Sequence, residues 1–255
     1  MDNLLKIMNK LRSPGGCPWD REQTINSLKP YLLEEAYEVL DAMDSKDPKQ
    51  LCEELGDLLL QIVFQSQISE ENGEFSFQDV VEGISEKMIN RHPHVFKDLK
   101  LETADDVVNA WQGFKEKEGK KHIFSGIPDT MPALMIAEKY QQRAKKLGLD
   151  FENPEEVYKK IYEEIDEIKD VCNNDMHIKL EEEIGDLLFS VVNLARKLKV
   201  NPELALLRSN KKFRKRVEFI EKEINKSSNP EKIIEDPDLL DKIWQKTKKN
   251  KGGNC

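Results

Sequence analysis

The sequence predicts an all-α protein built from tandem, duplicated helical-bundle domains. Two features point there. Charged residues make up 35 % and hydrophobic residues 38 % of the chain, with only 12 Gly, a balance that favours amphipathic helices. The chain also repeats itself. Leu32-Leu-Glu-Glu-Ala-Tyr-Glu-Val-Leu-Asp41 aligns without gaps with Ile161-Tyr-Glu-Glu-Ile-Asp-Glu-Ile-Lys-Asp170, and Glu53-Glu54-Leu55-Gly56-Asp57-Leu58-Leu59 aligns at the same offset with Glu182-Glu183-Ile184-Gly185-Asp186-Leu187-Leu188. A length of 255 residues leaves room for two domains, each with its own core.

Residues 1–13 alternate polar and apolar types at helical spacing, and residues 4–12 loosely match residues 134–143. The first acidic helix ends at Asp44-Ser-Lys-Asp-Pro48, where Asp47 is placed to cap the next helix and Pro48 to open it. So short a turn makes the two helices antiparallel neighbours. Leu55, Leu58, Leu59, Ile62 and Val63 then recur at i, i+3, i+4, i+7 and i+8, which predicts a broad buried stripe. Lys87 and Arg91 follow on a helix closed by His92-Pro93-His94, and then come Trp111 and Lys115. The stretch 119–132 contains Gly126, Pro128 and Pro132, the punctuation of an interdomain linker. The expected limits are 1–122 and 133–255, joined by 123–132. In the second half Asn173-Asn-Asp175 supplies the turn, Ile184, Leu187, Leu188, Val191 and Val192 the stripe, Lys212/Arg216 the basic pair, and Trp244 with Lys248 the aromatic position.

A formal charge of -9 argues against nucleic acid as a partner, since that surface would need clustered Lys and Arg. The N-terminus lacks the continuous apolar core of a signal peptide, and residues 58–64, interrupted by Gln61, are too short to span a bilayer. Cys17, Cys52, Cys172 and Cys255 show no CxxC spacing, as suits a reducing compartment. A cytoplasmic protein with no membrane partner is expected. P-loop, GxSxG, GxGxxG and HExxH motifs are all absent.

Residues three apart share a helical face, so Glu35 and Glu38 form one acidic pair and Glu54 and Asp57 another. The antiparallel turn brings the pairs together, and Glu164, Glu167, Glu183 and Asp186 repeat the arrangement. Two carboxylates about 5 Å apart repel by roughly 3 kcal/mol at an effective dielectric of about 20, so convergence calls for a cation. Oxygen ligands without His or Cys favour Mg²⁺, with Mn²⁺ as substitute, and Mg²⁺ commonly shares its shell with phosphate oxygens. A single ExxE is more often a solvated helix face; duplication at fixed spacing reverses that weighting. Gly56 and Gly185 lie inside their helices, at about 1 kcal/mol each relative to Ala, which implies either close approach of a ligand or tight helix packing. The Lys/Arg pairs can bind phosphates, or be solvated surface. Trp111 and Trp244 can stack on a base or pack in a core. His92 and His94 match no standard metal spacing and read as part of a loop. A di-iron bundle would need Glu-x-x-His, and here the i+3 residues are Glu38 and Glu167.

Duplicated EExxE and ExxD segments, Gly16-Cys17-Pro18-Trp19-Asp20 near the start and Arg91-His-Pro-His-Val-Phe96 closing the first half closely resemble the MazG nucleoside triphosphate pyrophosphohydrolases, over nearly the whole chain. The resemblance implies the all-α NTP pyrophosphohydrolase fold and a homodimer. It also implies Mg²⁺-dependent cleavage of nucleoside triphosphates, standard and non-standard, to monophosphate and pyrophosphate. Its metal ligands map onto Glu164, Glu167, Glu183 and Asp186, with Glu35, Glu38, Glu54 and Asp57 as the first-half counterparts. Its nucleotide contacts map onto Lys160, Ile161, Tyr162, Glu163 and Glu164; onto Lys179, Leu180, Glu181, Glu182 and Asp186; and onto Lys212, Phe213, Arg214, Lys215, Arg216 and Trp244. The family's reliance on its C-terminal half points to the second site. Glu163 or Glu182 is the candidate general base for an in-line attack by water, on either the α or the β phosphorus. The non-enzymatic alternative is a helical regulatory protein that binds metal or nucleotide without turnover.

Overall fold

A computed structural model describes residues 1–97, 99–101, 103, 106, 107, 110, 122–172, 177–227 and 229–249. Every regular element among the described residues is helical and none is a strand, in agreement with the all-α expectation. The chain divides into two compact units, residues 1–119 and 120–255.

The first unit contains α1 (Asp2–Arg12), α2 (Pro18–Glu22), α3 (Lys29–Ser45), α4 (Pro48–Glu71), α5 (Phe77–Arg91) and α6 (Pro93–Phe96). Only Lys46 and Asp47 separate α3 from α4. Lys46 closes α3 in the left-handed region (φ 60°), the Asp47 side chain accepts a hydrogen bond from the Lys49 N–H at 2.9 Å, and Pro48 opens α4. That turn folds the two long helices against each other. Met8, Leu28, Val63, Phe64 and Ile68 form the core, flanked by Leu4, Leu5, Ile25, Leu59, Leu60 and Phe77. Gly16 lies against the end of α1: a Cβ there would meet the Leu11 carbonyl oxygen at 2.2 Å, so the Gly16–Asp20 motif depends on the missing side chain.

The second unit contains α7 (Ala133–Ala144), a 3₁₀ turn (Lys145–Leu147), α8 (Pro154–Cys172), α9 (His177–Lys197), α10 (Pro202–Lys226), α11 (Pro230–Glu235) and α12 (Pro237–Lys249). Helices α8 and α9 pack as α3 and α4 do, and α7 lies against α9 as α1 lies against α4. Equivalent positions carry both cores: Leu28 and Val157 are fully buried, as are Val63 and Val192. Asp150 pairs with Arg196 and with Lys197 (2.8 Å), and the Gln141 side-chain amide donates to the Phe189 carbonyl at 2.8 Å. The Asn201 side chain caps α10 by accepting from the Leu204 N–H. The Asn173-Asn-Asp175 turn, Trp111, Lys115 and Cys255 lie outside the described residues. Among the described residues no helix is long and apolar enough to cross a membrane.

Two expectations need correction. The leucine-rich stripes are not wholly buried: Leu55, Ile62, Ile184, Leu188 and Val191 are 40–53 % exposed. Each stripe spans more of its helix than the packed neighbours cover, so the periodicity reads correctly as one apolar face while part of that face stays open. Gly56 and Gly185 are not sites of tight helix packing either. A Cβ at either position would meet nothing within 4 Å.

Candidate active site

Helix α3 places Glu35 and Glu38 one turn apart, and α4 brings Glu54 alongside. One carboxylate oxygen from each lies within 4.8 Å of the others. Helices α8 and α9 do the same for Glu164, Glu167 and Glu183. Asp57 and Asp186 stand outside these sets of three. A residue three positions further on is displaced about 4.5 Å along the helix axis, and Asp is one methylene shorter than Glu. Asp57 still acts at a distance, since its charge is one reason that Glu35 resists ionisation.

The electrostatics show the strain of convergence. Burial, then the charges of Asp57 and Glu38, pushes the Glu35 carboxyl above its usual range. A hydrogen bond with Glu164, followed by desolvation, does the same to Glu167. Nearby negative charge and loss of solvent both disfavour the ionised form of a carboxyl. All the donors are hard oxygens with no His or Cys, and the set suits a divalent cation of the Mg²⁺ class.

The two copies differ in their counter-charge. Glu164 is 3 % exposed, and Lys160 Nζ sits 2.9 Å from it and 2.8 Å from Glu163. Those hydrogen bonds, Glu163 first, hold the Lys160 ammonium firmly protonated. Tyr31 occupies the equivalent position in the first unit, with Trp19 edge-on at 5.9 Å. The sequence reading missed the Lys160–Glu164 pair, although its i, i+4 spacing was a legible signal.

The remaining candidate residues form two further groups. Ile161 and Tyr162 lie on α8, with Tyr162 67 % exposed, while Lys179, Leu180, Glu181 and Glu182 occupy the first two turns of α9. On α10 and α12, Phe213 lies 6.0 Å from Trp244, and the Arg216 guanidinium sits 5.3 Å over the Trp244 ring. Lys212 and Lys215 are exposed on α10, and Arg214 reaches Glu218 at 3.6 Å. Lys87 is exposed on α5, which ends where His92 Nδ1 meets the Met88 carbonyl at 2.6 Å.

The model of the MazG nucleotide pyrophosphohydrolase domain matches the chain twice, over residues 23–96 and 152–219, and each match encloses one carboxylate set. The chain belongs to the MazG family. Its MazG domains are those that the internal repeat outlined. A relative from Thermotoga maritima, named nucleoside triphosphate pyrophosphohydrolase/pyrophosphatase MazG, is 44 % identical over 97 % of this chain and 95 % of its own. The Escherichia coli K12 nucleoside triphosphate pyrophosphohydrolase is 43 % identical over 98 % of this chain and 97 % of its own. An uncharacterized Bacillus subtilis protein, YabN, is 42 % identical over 95 % of this MazG chain, a match that covers half of YabN.

Proposed function

We propose that this MazG-family protein hydrolyses nucleoside triphosphates to nucleoside monophosphate and pyrophosphate at the second carboxylate set, with the domain limits and cytoplasmic location expected from its sequence. The observation that carries the reading is the meeting of Glu164, Glu167 and Glu183 within 4.8 Å inside a MazG match, together with the printed names of the near full-length relatives. These three residues would hold Mg²⁺ or Mn²⁺, with Asp186 one turn on as the fourth ligand.

Once bound, the cation would offset the triphosphate charge and lower the pKa of a water. Glu163, exposed beside the set, or Glu182 on α9 would accept the proton from the attacking water. Lys160, Lys179, Lys212, Arg214, Lys215 and Arg216 supply positive charge for phosphate oxygens. Phe213 and Trp244 offer ring faces to the base; stacking is indifferent to base identity, which would allow broad specificity toward standard and non-standard nucleotides. Ile161, Tyr162, Leu180 and Glu181 complete the nucleotide-facing segments. The exposed apolar faces of α4 and α9 would meet a second copy in a homodimer.

The test is a panel of nucleoside triphosphates with Mg²⁺, Mn²⁺ or neither, following pyrophosphate release. Turnover of several bases that needs a divalent cation supports the reading. Tight nucleotide binding with no turnover would instead establish the regulatory alternative.

A further inference from the structure

We propose that Lys160 is a built-in counter-ion of Glu164 in the second carboxylate set, one that a cation bound there would displace toward the substrate phosphates. The inference rests on the reading of Glu164, Glu167 and Glu183 as metal ligands.

Glu164 is the most buried member of the set, with its side chain 4 % exposed, and a carboxylate taken from water needs a charged or hydrogen-bonding partner. Lys160 meets that need from its own helix, four residues earlier, with Nζ at 2.9 Å. The lysine is not locked in place. Its side chain is 34 % exposed, and its second partner, Glu163, is 58 % exposed. A flexible four-carbon stem carrying a compact charge can leave one anion for another without changing the helix. A divalent cation that takes the Glu164 oxygen repels the ammonium beside it, while an arriving polyphosphate offers the lysine new anions. Cation and lysine therefore compete for Glu164, and nucleotide relieves the competition.

The first unit has no lysine at the equivalent position. Tyr31, in the place of Lys160, is 38 % exposed and packs on Trp19, so no ammonium reaches Glu35 from that position. The duplicated sets should differ in how metal affinity depends on nucleotide.

The test uses Mn²⁺, counted by the electron paramagnetic resonance of the free ion, on full-length protein. In a Glu38→Gln background that silences the first set, Lys160→Met is expected to bind Mn²⁺ at least threefold more tightly than its parent. The same variant should bind a non-hydrolysable nucleoside triphosphate at least fivefold more weakly. Opposite signs in one variant are the signature; Mn²⁺ affinity that is unchanged or weaker overturns the proposal. If Lys160→Met does not fold, Tyr31→Lys in a Glu167→Gln background decides, because the transplanted lysine should weaken Mn²⁺ binding at the first set at least threefold and an unchanged affinity overturns the proposal. Absence of Mn²⁺ binding in both parents would instead sink the metal reading itself, and the lysine proposal with it.

Discussion

The Arg12 guanidinium grips both carboxylate oxygens of Glu71, Nε at 2.9 Å from Oε1 and Nη2 at 2.7 Å from Oε2, and so ties the end of α1 to the end of α4. The same guanidinium donates to the Asp20 and Gln23 carbonyls and lies 5.4 Å over the Phe64 ring. One side chain therefore anchors the Gly16–Asp20 segment to the core of the first unit.

The hydrogen bond from Arg12 holds the Glu71 carboxyl below its ordinary value of 4.5. The folded pKa is the lower one, so this pair stabilises the unit fully above the unfolded value and less as pH falls through the folded value. Chemical denaturation between pH 7 and pH 3 should show a stability loss that Glu71→Gln reduces. Arg12 is 6 % and Glu71 37 % exposed, so after screening Glu71→Gln should cost about 1–2 kcal/mol at pH 7. Equal pH slopes in the two proteins would remove Glu71 from the acid response.

Gly16→Ala should destabilise the first unit by roughly 2 kcal/mol, because its Cβ would lie 2.2 Å from a backbone oxygen. Gly56→Ala has open space and replaces a helical glycine, so it should raise stability by up to about 1 kcal/mol. Thermal unfolding of the pair checks both; a stabilised Gly16→Ala would contradict the packing at Leu11.

The exposed stripe on α9, including Ile184, Leu188 and Val191, makes a sharp expectation for assembly. Sedimentation should give a dimer for the wild type and a lower mass for Leu188→Glu. A wild-type monomer, or an unchanged mass for the variant, would leave that face without a second copy.

Glu167→Gln should lower kcat for triphosphate hydrolysis at least tenfold, about 1.4 kcal/mol or more in barrier, whereas Glu38→Gln should change it less than threefold. Steady-state kinetics with Mg²⁺ distinguishes the two sets. Equal losses would mean that both copies turn over substrate.

Local spacing made much of this legible. Glu35/Glu38 and Glu164/Glu167 had to share a face because three residues nearly complete a helical turn, and Asp47-Pro48 announced the α3–α4 turn through cap chemistry. What the sequence hid depends on neighbours far along the chain. Leu188 and Val192 carry the same apolar signal, yet one is 53 % exposed and the other 1 %, since burial is decided by what packs against the helix. The Arg12–Glu71 pair joins residues with no pattern between them. The distinction between the Glu183 and Asp186 positions rests on side-chain length and axial rise, which an ExxD string does not separate.

The most direct measurement is ³¹P nuclear magnetic resonance of a nucleoside triphosphate incubated with wild-type protein and Mg²⁺. The triphosphate resonances should give way to monophosphate and pyrophosphate in equal amounts, with the conversion abolished by chelation and lost in Glu167→Gln. Appearance of diphosphate and inorganic phosphate, or conversion that survives chelation, would contradict a metal-dependent pyrophosphohydrolase centred on Glu164, Glu167 and Glu183.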